Sequence, residues 1–396
     1  LALNLLIQRM NSDAPEPQAA PQVEIAPAAD PTAGDISLVR PEPRVIDMID
    51  GTPTGSINPN SGMSFTKSAI PPMPSTLLAS TSGPAEIVPL DTPAQTASED
   101  TASIPASTEP QTFELPAEAV GPLDLRQAAA NGDARAQFEV GAIYTEGRAV
   151  TQDYAEAGKW YERAAAQGFV PAQYRLGNLY EAGQGVEKDI EVAKLWYQRA
   201  AEAGNRMAMH NLAALYAGGL LGEQQFETAA EWFAQAAAKG MTDSQFNLGM
   251  LYARGLGVEQ DFAQSYKWFS LAARNGDKDA AQARDDMAKS LNAEQVSTIN
   301  TEVGAWKSEP LDLAVNFAPL GTWSKTFDPG QVITTRDVVS KVQLVLNKLG
   351  FDVGTADGVA GPKTAVAIKA FERGTGMTET GAINPRLLAV LGSQPV

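Results

Sequence analysis

The sequence predicts an all-α protein: an α-solenoid of helix-turn-helix repeats, then a small three-helix C-terminal bundle, preceded by a long disordered region. Three observations carry that reading. One pattern is written four times between residues 121 and 280 with a period of 36, marked by Trp160, Trp196, Trp232 and Trp268. Tyr144, Tyr180, Tyr216 and Tyr252 keep the register, as do Gly168, Gly204, Gly240 and Gly276, so the stretch is a repeat array. Near the C-terminus, Val338, Val342, Val345, Leu346 and Leu349 have helical spacing, and two shorter helical runs follow. Finally, 19 of the 26 prolines lie at or before Pro122, in a stretch poor in aromatics. Such a stretch buries too little apolar surface to offset its ordering entropy.

Residues 1–10 are apolar but too few to span a bilayer, which needs about 20 residues. They read either as the end of a transmembrane helix, anchoring the chain to an inner membrane, or as an apolar tail. Few Lys or Arg follow them, as expected of a segment facing away from the cytoplasm. The basic start and the cleavage pattern of a signal peptide are missing. Residues 11–120 read as an acidic, semi-extended tether. Two islands interrupt it, 36–49 and 70–78, either docking motifs or chance apolar content.

The solenoid is expected over residues 121–306. In its second unit a first helix, Ala172–Gly183, carries Leu176, Leu179 and Tyr180 on one stripe. Glycine costs about 1 kcal/mol in a helix interior, so Gly141, Gly177 and Gly249 imply close approach by a partner helix. Ala213 meets the same demand in the third unit. The second helix opens at Asp153, Asp189 or Asp261. Asp153 with Glu156 and Asp261 with Gln264 have the spacing of a reciprocal cap. Gly168, Gly204, Gly240 and Gly276 close it. Gln225 replaces the capping aspartate in unit three, which predicts a looser loop there. Residues 121–132 read as half of a leading unit. A helix from Asp279 to Ser290, then one from Asn292 to about Trp306, closes the array.

Residues 307–335, with three prolines, read as a linker to a domain over 336–396. There a helix ends at Gly350, and a glycine-rich loop leads to a second helix with Pro362 in its first turn. That helix runs through Val366, Ile368 and Phe371. Asn384 and Pro385 open a third, with Leu387, Leu388 and Leu391. Such a bundle lies near the lower limit of independent stability.

The array, best seen in Leu176–Gly204, resembles the Sel-one-like repeat, a relative of the tetratricopeptide repeat. The resemblance implies a solenoid whose concave face binds proteins and which has no catalytic activity. Residues 342–388, with the motif Asp357-Gly358-Val359-Ala360-Gly361-Pro362-Lys363-Thr364, resemble the peptidoglycan-binding-domain-like family. That implies wall binding without cleavage. Glu372, where the family has Gln, is expected to be a surface change. The domain order resembles the periplasmic part of the PodJ-type polarity factors of alphaproteobacteria.

Within the small domain, Asp357, Gly358, Gly361 and Thr364 admit two readings. They border a shallow pocket for amide and sugar groups, or they hold the loop, with Thr364 turned inward. His210, the one histidine, falls in the register of Phe138, Tyr174 and Phe246 and reads as a core aromatic substitute. With no second histidine and no cysteine, neither a zinc peptidase site nor a Cys–His nucleophile can be assembled. No catalytic, metal or cofactor site is expected. The net charge of -17 is carried mostly by residues 1–122, with 15 acidic and 4 basic side chains. Absence of a basic run argues against nucleic acid. The expectation is a non-enzymatic periplasmic scaffold, tethered to the inner membrane, with peptidoglycan and unidentified periplasmic or membrane proteins as partners. An accessory subunit of a wall hydrolase or synthase, and a periplasmic signalling regulator, are the alternatives.

Overall fold

The computed structural model describes residues 113–147 and 150–392. The expectations for residues 1–10, for the tether up to residue 112 and for both islands lie outside the described residues. Among the described residues every regular element is a helix. A 3₁₀ turn and α1 (Leu123–Ala130) lead into four helix pairs: α2/α3 (Ala134–Glu146, Tyr154–Ala166), α4/α5 (Val170–Ala182, Ile190–Glu202), α6/α7 (Arg206–Gly218, Phe226–Ala238) and α8/α9 (Thr242–Arg254, Phe262–Arg274). α10 (Lys278–Ala288) and α11 (Ala293–Ala305) close the array. After a single turn, α12 (Leu313–Asn316), come α13 (Arg336–Lys348), α14 (Pro362–Gly374) and α15 (Pro385–Leu391).

Each pair is held by the same devices at the same register. The N–H of residue 153, 189, 225 or 261 donates to the carbonyl of Tyr144, Tyr180, Tyr216 or Tyr252, at 3.0 Å in all four units. The side chains of Gln137, Gln173 and Gln245 donate to the carbonyls of Ala129, Ala165 and Ala237, eight residues back. They tie each first helix to the end of the helix before it, and Met209 breaks the series in unit three. Buried donors without such acceptors would each cost about 1–3 kcal/mol.

The helix-interior glycines answer to aromatic rings of the second helix. A Cβ on Gly177 would stand 2.4 Å from the Tyr197 ring; on Gly141 it would meet Tyr161 at 2.8 Å, and on Gly249, Phe269 at 2.9 Å. Tyr161, Tyr197, Phe233 and Phe269 are the fully buried column, one residue beyond the tryptophans. Trp160 and Trp196 are buried with Arg163 and Arg199 over their rings, whereas Trp232 and Trp268 are half-buried. The tryptophans mark the period, and the residue after each one closes the pair.

Two local expectations change. The Asp153 and Asp261 side chains cap the N–H groups of Glu156 and Gln264 as expected. The Glu156 carboxylate, however, pairs with Lys159 at 2.7 Å instead of reaching back to the cap. The full reciprocal cap forms at Asn292 and Gln295, opening α11. Gln225 makes no side-chain cap, yet its loop keeps the backbone bond to Tyr216 and the bond from Gln224 Nε2 to the Ala217 carbonyl, the counterpart of Gln152 to Thr145 and Gln260 to Ala253.

Residues 307–335 are not a free linker. Leaving α11, the segment runs back across the array from its fourth unit to its first. Glu309 N–H donates to the Ala238 carbonyl at 2.8 Å, and Asn205 Nδ2 donates to the Val315 carbonyl at 2.7 Å. Asn316 accepts from Arg206 N–H at 2.9 Å and donates to the Gly204 carbonyl at 3.1 Å. Farther on, Gly321 N–H and the Trp323 indole both donate to the buried carboxylate of Glu139 in α2. Leu313, Phe317 and Leu320 enter the core of the C-terminal helices, where Phe317 lies edge-on to Phe371 at 5.2 Å. Ile333 N–H then donates to the Ile383 carbonyl. Three helices with few apolar residues make a thin core, and this segment thickens it.

Candidate functional site

The loop before α14 brings three of the four candidate residues of the small domain, Asp357, Gly358 and Thr364, together around one side chain outside the motif, Gln343. Its Oε1 accepts from Gly358 N–H at 2.9 Å. Its Nε2 lies at 3.0–3.1 Å from Asp357 Oδ1, the Val359 carbonyl and Thr364 Oγ1. Asp357 also accepts from Val359 N–H, and that bond, then the one from Gln343, holds its carboxyl below the usual range. Gly358 sits at φ +77°, and a Cβ there would lie 2.3 Å from Arg336 Cγ. Gly361 is the N-cap of α14, with Pro362 at its first position.

Thr364 is buried to 1% exposure, so it can reach no wall polymer. Asp357 is exposed and accessible, and beside it Val359, Ala360 and Pro362 form an exposed apolar edge. Val366 of α14 is 68% exposed; one turn after Pro362 it extends that edge. The arrangement offers a carboxylate and a small apolar ledge, suited to contacts with amides and sugar faces. It supplies no acid–base pair. Among the described residues no cluster of His, Cys, Asp and Glu could hold a metal ion.

Glu372 is not a surface change. It is fully buried. Its carboxylate accepts from Thr380 N–H and Oγ1, both at 2.6 Å, and from Gly381 N–H at 2.9 Å. Arg386 lies 3.9 Å away and is itself held by the Thr378 carbonyl. An anion meeting this many donors in a dry site fixes the turn between α14 and α15. Burial lowers the Arg386 pKa, and Glu372 opposes that shift.

On the array, Gly141, Gly177 and Gly249 and the ring beside each lie in the interior of the helix pairs, as do Trp160 and Trp196, while Trp232 and Trp268 are half-buried. His210 is fully buried, edge-on to Phe233 at 5.5 Å, with Nδ1 at 2.7 Å from Ser244 Oγ. Phe138, Tyr174 and Phe246 meet Tyr161, Tyr197 and Phe269 at 5.3, 6.1 and 5.4 Å, so the histidine takes the aromatic's place. The strip of first-helix surface holding Glu139, Asn205 and Arg206 is covered by residues 309–323. Sequence reasoning missed Gln343, Glu139, Asn316 and Trp323. Only Gln343 left a sign, a polar residue inside the apolar stripe of α13.

With that geometry in view, residues 134–169, 170–205, 206–241 and 242–277 each match the Sel1 repeat, and residues 335–391 match the family described as "Putative peptidoglycan binding domain". The chain carries four Sel1 repeats and a C-terminal domain of peptidoglycan-binding type. The Sel1 repeat protein of Oxalobacter formigenes is similar at 28% identity, over 44% of this chain and 74% of that one, with a TM-score of 0.37. The protective antigen c5321 of uropathogenic Escherichia coli, which displays an SLR fold, is 30% identical over 46% of this chain and 47% of its own, with a TM-score of 0.33. No curated protein matches the chain. Families of these two kinds are typically non-catalytic, the repeats serving protein contacts and the C-terminal type binding peptidoglycan.

Proposed function

We propose that this chain is a non-enzymatic cell-envelope scaffold, holding peptidoglycan through its C-terminal module and protein partners through its Sel1 array. One observation carries the reading: four Sel1 repeats and a peptidoglycan-binding-type domain occur in one chain. The segment between them supports it, since it packs on both and would pass the position of the wall to the array as a fixed frame. Protein partners would meet the array outside the strip that residues 309–323 cover. In this reading the chain acts in the periplasm. The apolar residues 1–10 and the acidic tether then lead back to the inner membrane, and the task is polarity or organelle localisation of the PodJ type.

Co-sedimentation with purified peptidoglycan sacculi tests the proposal. The full chain is expected to pellet only with sacculi, residues 113–306 to stay in solution, and Asp357→Ala or Val359→Asp to weaken pelleting. If the full chain stays in solution, the module does not hold the wall and the proposal falls.

A further inference from the structure

Residues 309–323 divide their contacts between two neighbours by chemistry. Toward the C-terminal helices they turn Leu313, Phe317 and Leu320. Gly374 lies so close to Leu313 that a Cβ there would stand 2.6 Å from Leu313 Cδ1. Toward the array they turn mostly hydrogen bonds, from the Glu309 N–H, the Val315 carbonyl and the Asn316 amide, with Ala318 and Trp323 as apolar contacts. The segment ends in a clasp. Gly321 sits at φ +72°, where a Cβ would lie 2.2 Å from the Phe327 ring. That turn aims two donors, the Gly321 N–H and the Trp323 indole, at one carboxylate oxygen of Glu139. Water can replace a hydrogen bond, but it offers no substitute for buried Leu and Phe contacts. The seam that opens is therefore the one against the array, and the segment leaves with the module.

We infer that the array strip under residues 309–323 is a docking site for an extended segment of a partner protein, which the chain's own segment occupies as a built-in competitor. The segment itself shows what the site takes. Main-chain groups meet the Ala238 carbonyl and the Asn205 amide, and one side-chain amide meets both the Arg206 N–H and the Gly204 carbonyl. Seven residues after that amide, an indole donor meets Glu139. Main-chain bonds supply affinity in such docking, and the side chains between them supply specificity. Lifting the segment takes these partners from Glu139, Asn205 and the Arg206 N–H, and an incoming segment of the same chemistry restores them. Being tethered, the chain's own copy excludes a free one until it is loosened. Partners of the closed chain meet the array outside the strip, and release adds this site. The inference rests on the reading of the array as a protein-binding surface and is independent of the wall reading.

The test uses a fluorescent peptide of residues 307–326 as the probe, titrated into the full chain and into an Asn316→Ala, Trp323→Phe double variant. Both substitutions lie in the segment and leave the array strip intact. The variant should bind the peptide at least tenfold more tightly than the parent does. Adding Glu139→Gln to the variant, or placing the two substitutions in the peptide, should weaken binding about tenfold. Hydrogen exchange at Leu212 checks that the array stays folded, and exchange at the Arg206 N–H reports release of the segment. Release without peptide binding, or binding indifferent to Glu139 and to the peptide's own substitutions, overturns the inference. So does an Arg206 N–H that stays protected in the variant while the peptide is excluded. In each of these cases the array keeps its surface outside the strip for other proteins, and sacculus pelleting judges the wall reading separately.

Discussion

The array and the segment that follows it are stabilised by the same physics and differ in how that physics is written. In the array each contact is repeated: a glycine under an aromatic ring, a glutamine reaching eight residues back, a backbone bond closing each pair. In residues 307–335 each contact occurs once. Asn316 alone answers Arg206 N–H and the Gly204 carbonyl, and Phe317 alone fills its space beside Phe371. Repetition lets a solenoid lose one contact locally, because each unit leans only on its neighbours. The connecting segment has no second copy, so one loss should free a whole module.

The largest effect is expected at Phe233, fully buried between its own helix pair and the next. Phe233→Ala should cost about 3–5 kcal/mol, measured by urea unfolding, and hydrogen exchange should place the loss in units three and four. Phe317→Ala should cost about 3 kcal/mol from the C-terminal module, whereas a passive linker would show no change. Asn316→Ala should cost about 2 kcal/mol by taking the partner from the buried Arg206 N–H and the bond from the part-buried Gly204 carbonyl.

A smaller effect separates the halves of the array. Burial raises the Tyr161 phenol to about 12, and units three and four hold Phe233 and Phe269 at that register. The folded state therefore keeps a proton that the unfolded chain releases above pH 10. The resulting stability is complete below pH 10 and is lost as pH rises toward 12. Relative to Tyr161→Phe, the parent should lose about 1 kcal/mol between pH 9 and pH 11, seen as a lower urea midpoint.

The periodic part was legible because four copies expose which positions are fixed. Even so, the tryptophans drew attention from the residues beside them, since rarity in a sequence is not burial. His210 was readable from its column alone. Glu372 was misread because a charged residue is ordinarily solvated, and nothing local announces that Thr380 and Gly381 turn back to bind it. The segment 307–335 was misread because prolines and short apolar runs look alike whether solvated or docked. Its partners lie more than 100 residues away, at Arg206 and Glu139. The motif placed Asp357, Gly358 and Thr364 in one loop, but their hub, Gln343, lies outside the motif.

The central claim is that the connecting segment locks the C-terminal module onto the array. Hydrogen exchange at Arg206 N–H tests it most directly, because that group's partner is the Asn316 side chain. The docked segment predicts strong protection in the full chain, lost in Asn316→Ala while the array interior around Leu212 stays protected. Rapid exchange at Arg206 in the parent chain, equal to that of the variant, would mean that the segment does not dock and the two modules move independently.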